Sequence, residues 1–110
     1  MKEMKTFREY QRWTKETALY ENPVMYPCLE LGGEVGEVFN QVKKIYRDDN
    51  GNVSHVRKYD LEKELGDCLW ALARLVDDLD LDLQRIAELN VGKLEDRLAR
   101  GKIRGSGDNR

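Results

Sequence analysis

The sequence predicts an all-α fold of the four-helix-bundle type, and two observations carry that prediction. Apolar residues recur at intervals of three and four and seldom at two, which is the period of a helix and not of a strand. Both prolines, Pro23 and Pro27, stand near the start, so no helix breaker interrupts the chain after them. A chain of 110 residues makes one domain with a single modest core.

The first helix begins at Thr6, whose spacing to Glu9 makes a capping box, and carries Phe7, Tyr10, Trp13 and Thr17 on one face. The stretch "YENPVMYP" ends it and turns the chain. A second helix runs from about Pro27 to Arg47, with Leu31, Val35, Val38, Val42 and Ile45 forming a continuous stripe. "DDNGNVSHV" reads as a polar loop with room for a short hairpin. The third helix spans about Tyr59 to Leu79 and turns Leu61, Leu65, Cys68, Leu72, Leu75 and Leu79 inward. The fourth follows an acidic turn and spans about Asp82 to Arg100, with Leu83, Ile86, Leu89, Leu94 and Leu98 as its apolar positions. The end, "GKIRGSGDNR", is glycine-rich, basic and not helical. The expected organisation is one domain over 1–110: an N-terminal helical segment (1–24), the catalytic helices (25–100) and a loose tail (101–110).

Composition excludes several classes. Charged residues make up 36% of the chain with both signs interspersed, and the net charge is −2. Nothing there points to a nucleic-acid coat or a membrane surface. No apolar run approaches the roughly eighteen residues that span a bilayer, and "MKEMKTFREY" lacks a signal peptide's apolar core. A cytoplasmic protein is expected. Cys28 and Cys68 are too few for a zinc site or a disulfide framework and read as buried, reduced thiols. No Gly-x-x-x-x-Gly-Lys loop occurs, which excludes a P-loop ATPase. "DDLDLD" and "DDNGNV" lack the glycine and the twelfth-position acid of a calcium loop. His55, the one histidine, has no partner at motif spacing and reads as a surface residue.

The two central helices share a motif. Leu31-Gly-Gly-Glu34-Val-Gly-Glu37 and Leu61-Glu-Lys-Glu64-Leu-Gly-Asp67 both read Leu, two residues, Glu, an aliphatic, Gly, an acid. Acids three apart point the same way on a helix. Both pairs border their helix's apolar stripe, so packing the stripes together brings four carboxylates to the edge of the core. Such a cluster repels itself by several kcal/mol per pair at roughly 4 Å unless a cation sits within it. Oxygen ligands without histidine or thiolate select Mg²⁺, or Mn²⁺, and Mg²⁺ typically completes its shell with substrate phosphates. The glycines in the first motif, each costing about 1 kcal/mol in a helix interior, are expected to make room for close approach; Gly36 and Gly66 match in the two copies.

A second signal follows. Asn90, Lys93 and Arg97 share helical spacing, and Arg100, Lys102, Arg104 and Arg110 follow them. From Lys93 onward the net charge is about +3, against about −5 for the rest. A glycine-containing segment with these cations suits closing over a polyphosphate. Lys44, two turns beyond Glu37, is a further candidate phosphate contact, and Trp13 is the candidate for stacking on a base, with Trp70 the other tryptophan.

Taken together, Glu34-x-x-Glu37, Glu64-x-x-Asp67 and Asn90-x-x-Lys93-x-x-x-Arg97 with the basic end resemble the MazG-like nucleoside triphosphate pyrophosphohydrolases, from about Leu29 to Arg110. The resemblance implies a homodimer or a dimer of dimers, and Mg²⁺ held by Glu34, Glu37, Glu64 and Asp67. It also implies hydrolysis of a nucleoside triphosphate to the monophosphate and pyrophosphate. Many relatives carry a further Glu where this chain has Gly33. Phosphoribosyl-ATP pyrophosphohydrolase, which shares the scaffold and cleavage type, and a non-catalytic helical module are the alternatives. Such an enzyme would use Mg²⁺ to activate water, while Lys93, Arg97 and the tail cations, Lys102, Arg104 and Arg110, offset charge on the departing pyrophosphate.

Overall fold

The computed structural model describes residues 1–110. It is all-helical. Helix α1 (Phe7–Thr14) continues into a 3₁₀ turn, Lys15–Thr17, and is followed by α2 (Met25–Asp48), α3 (His55–Asp78) and α4 (Leu83–Ala99). No helix is long and apolar enough to cross a membrane.

Local chemistry sets the helix ends. The Thr6 hydroxyl accepts from the Glu9 amide at 3.0 Å, and Glu9 reaches back to the Lys5 amide. Pro27 sits in the first turn of α2, where its missing N–H has no intrahelical role. Helix α3 begins four residues before the expected Tyr59, because Ser54 caps it by accepting from the Arg57 amide. His55 therefore opens a helix and does not lie in a loop, although it is exposed. No hairpin forms between α2 and α3. Asn50 and Gly51 take positive φ (55° and 81°), and Arg57 pairs with Asp49 at 2.6 Å across the connection.

Helices α2 and α3 form the main hairpin, and α1 lies across the corner between α3 and α4. The corner is held by polar contacts. The Gln11 side-chain amide donates to Asp77 and to the Leu81 carbonyl and accepts from the Leu83 amide. Arg74, 5% exposed, donates to Tyr20, Thr14, Asp77 and Asp78. Asp78 also accepts from the Tyr20 hydroxyl and the Val24 amide, which straps the α1–α2 connection onto α3.

The apolar core is small. Ala73, Val76 and Leu83 are buried together under Tyr10. The stripes expected to face inward are only partly covered: Val35, Val42, Leu65, Leu72, Leu79, Ile86, Leu89, Leu94 and Leu98 are all exposed. Cys28 is exposed and Cys68 half-buried, so the reading of two buried thiols is corrected, though both are free. The chain leaves 8363 Å² accessible; a closed monomer of its mass would leave about 6300 Å². Its radius of gyration is 16.8 Å, against about 13 Å for a compact chain of this length. Four helices are present, but one chain does not wrap them around a closed core.

Candidate metal centre

Helix α2 contributes Glu34 and helix α3 contributes Glu64 and Asp67; one carboxylate oxygen from each lies within 4.8 Å of the others. The arrangement is one acid facing two. Glu37 is exposed and stands outside this group, although the motif pairs it with Glu34.

Glu34 is pushed up to about 7, first by a hydrogen bond shared with Glu30, then by burial, then by the charges of Asp67, Glu30 and Glu64. Glu30, one turn upstream on the same face, is a participant that sequence reasoning missed; its i, i+4 spacing to Glu34 was the available signal. Cys68 is raised by burial and then by Glu34, Asp67 and Glu64, and Tyr10 by burial and then by Asp67. Four neighbouring acids without a cation among them fit a hard divalent ion, and the absence of any histidine or thiolate among the three converging ligands fits Mg²⁺ or Mn²⁺ better than zinc.

The glycines meet no crowding inside the chain. A Cβ added at Gly32, Gly33, Gly36 or Gly66 would find no atom within 4 Å, so packing of α2 on α3 does not require them. The expectation that they let these two helices approach closely is corrected.

The phosphate candidates fall into two groups. Lys93 and Arg97 stand one turn apart on α4, and both bind the tail: Lys93 Nζ lies 3.0 Å from Asp108 Oδ1, and Arg97 donates to the same oxygen at 3.1 Å. Asn90 lies beside Lys93 in a shallow cleft with Ile86 and Leu89. Lys44 is half-buried on α2, near Asp48. The tail is more ordered than a loose segment. Arg110 donates to the carbonyls of Lys102, Ile103 and Gly107, while Lys102 and Arg104 are exposed.

Trp13, the expected base-stacking residue, is stacked on Tyr10 with ring centres 6.4 Å apart. Trp70 is likewise half-buried. It lies one turn beyond Asp67, donates to Thr17 Oγ1 at 2.8 Å and meets Tyr20 edge-on, while Tyr20 stacks on Tyr26 at 5.0 Å. Thr17, Leu19, Tyr20, Tyr26 and Trp70 line a cleft of about 290 Å³. Tyr26 is one turn before Glu30 on α2, so the aromatic cleft adjoins the acidic cluster along the α2–α3 hairpin.

The chain is similar to the Gene 37 protein of Mycobacterium phage L5, at 40% identity over 109 residues, covering 92% of this chain and 96% of that protein. No solved structure matches significantly. The family model described as the MazG nucleotide pyrophosphohydrolase domain matches residues 27–100, a span that holds α2 from its third residue, α3 and α4 with all the converging acids and the Lys93–Arg97 pair. This chain belongs to the MazG nucleotide pyrophosphohydrolase domain family.

Proposed function

We propose that the protein is a Mg²⁺-dependent nucleotide pyrophosphohydrolase, converting a nucleoside or deoxynucleoside triphosphate to the monophosphate and pyrophosphate. The observation that carries the reading is the convergence of Glu34, Glu64 and Asp67, one carboxylate oxygen of each lying within 4.8 Å of the others. These three would hold the metal, and Glu37, one turn along α2, is the fourth acid the motif offers. Bound there, Mg²⁺ lowers the pKa of water and neutralises phosphate oxygens. The chain's own groups supply the rest. Water adds at the α-phosphorus and gives its proton to solvent, the bond from that phosphorus to the bridging oxygen breaks, and pyrophosphate departs. Lys93 and Arg97, with Lys102 and Arg104, neutralise the leaving group. The cleft of Tyr20, Tyr26 and Trp70 offers the base an aromatic wall beside the acids and fits that role better than Trp13, which stacks along Tyr10 on α1. The working unit is a homodimer or homotetramer, which would cover the open faces of the helices and bring a second copy of α4 to the site.

The test is pyrophosphate release from a panel of NTPs, dNTPs and phosphoribosyl-ATP, with Mg²⁺ and with EDTA, on the wild type, Glu64→Gln and Glu37→Gln. The expected outcome is metal-dependent release that falls at least about 100-fold in Glu64→Gln. Release that survives EDTA, or an unchanged rate in Glu64→Gln, would overturn the reading.

A further inference from the structure

The end of the chain occupies its own cation pair. Arg97 is 4% exposed on an otherwise exposed stretch of α4, and the partners of its guanidinium are the carboxylate of Asp108 and that residue's backbone carbonyl, at 3.1 and 2.6 Å. Lys93 Nζ lies 3.0 Å from the same carboxylate oxygen. One anionic oxygen bridging an ammonium and a guanidinium is the arrangement a phosphate oxygen would adopt there. The tail is folded to deliver it. Gly107 takes φ +82°, a turn that disfavours other residues, and Arg110 ties the carbonyls of Lys102, Ile103 and Gly107 together. The Arg110 carbonyl in turn accepts from Arg100 at the end of α4. The clasp is weakly held even so. The Asp108 side chain is 80% exposed, and ion pairs to such a group contribute little in water. A pyrophosphate group, with several charges, can displace a single carboxylate, whereas loss of the carboxylate alone leaves the buried Arg97 with only the Asp108 carbonyl as partner.

We propose that residues 105–110 form an autoinhibitory strap in which Asp108 stands in for a substrate phosphate on Lys93 and Arg97 and must lift before a polyphosphate can bind. This rests on Lys93 and Arg97 being phosphate ligands, as in the proposed function. The strap sets a threshold: weak monoanions do not open it, and a polyphosphate does. Once released, the exposed cations Lys102 and Arg104 are free to follow the ligand.

The experiment is titration calorimetry of the whole protein with pyrophosphate, comparing the wild type, Asp108→Ala and a chain ending at Gly107, alongside the hydrolysis assay. Removing the internal competitor is expected to tighten pyrophosphate binding roughly 3- to 10-fold in both variants. In the assay, the KM of Asp108→Ala falls by a similar factor and its kcat is unchanged. Equal or weaker binding in both variants would overturn the proposal, making Asp108 a simple brace on α4. So would absence of pyrophosphate binding by all three proteins, since Lys93 and Arg97 would then hold no polyphosphate. A tighter variant without hydrolysis in any protein would keep the strap and remove the catalytic reading, so the two fail separately.

Discussion

At the scale of the residue, Glu34 has the most consequential environment. Its pKa of about 7, against an ordinary 4.5, means that the folded, metal-free protein holds a proton that the unfolded chain has released over that interval. The sign follows from linkage: a folded value above the unfolded one gives stability that is complete below about pH 4.5 and is lost as the pH rises through about 7. The metal-free protein is therefore expected to melt at progressively lower temperature as the buffer is taken from pH 5 to pH 8. Saturating Mg²⁺ should remove most of that slope, because a cation among the acids takes over the role of the proton. Melting curves across this range, with EDTA and with Mg²⁺, check it; a flat profile in EDTA would contradict the clustering. Glu30→Gln should reduce the slope, since the hydrogen bond shared with Glu30 is the largest cause of the shift.

At the scale of the element, the connection between α1 and α2 stores strain beside the aromatic cleft. Val24 sits at φ 68°, ψ −57°, and the Met25 amide donates to the Pro23 carbonyl at 2.7 Å. That is a γ-turn of the rare kind with a positive central φ, and a β-branched residue is poorly suited to it. Asp78 holds the strained residue in place by accepting its amide, and Arg74 and Tyr20 in turn hold Asp78. The same segment presents Tyr20 and Tyr26 to the cleft, so the strain is located where it fixes the aromatic wall. Val24→Gly is expected to raise stability by about 1 kcal/mol, the relief of strain exceeding the added freedom of glycine in the unfolded chain. Urea unfolding at fixed protein concentration measures it. A loss of stability would mean that Val24 contributes more through packing than it costs through its backbone.

At the scale of the whole molecule, the excess of accessible surface is the dominant fact. The chain leaves about 2000 Å² more exposed than a closed monomer of its mass would, an area per subunit in the range of obligate interfaces. On α2 the exposed residues Val35, Phe39, Val42 and Tyr46 follow one another at i, i+4, i+7 and i+11, which draws a single unpartnered stripe. Phe39→Asp is expected to shift the protein from dimer or tetramer toward monomer and to lower its melting temperature by several degrees, read by analytical ultracentrifugation and calorimetry. A wild type sedimenting as a stable 12.9 kDa monomer would overturn the assembly.

By itself the sequence determined the helices, their caps and the acid motif. Period, capping chemistry and turn residues are local, so Thr6, the apolar stripes and the paired Glu-x-x-acid segments were legible; Ser54 carried the same kind of signal and marks the true start of α3. Tertiary structure decided which acids meet. Residues three apart differ by about 60° around a helix, so both acids of α3 can converge on one acid of α2, and it is Glu34 and not Glu37 that lies over them. It also decided the role of Glu30, which depends on how α2 is rotated against α3, and the capture of Asp108 by Lys93 and Arg97, a contact between segments whose composition suggested only a loose tail. An apolar stripe says that a face will be covered but not by what: only the packed chain shows that α2, α3 and α4 leave their stripes open, because one copy has too few apolar partners to close a core around them.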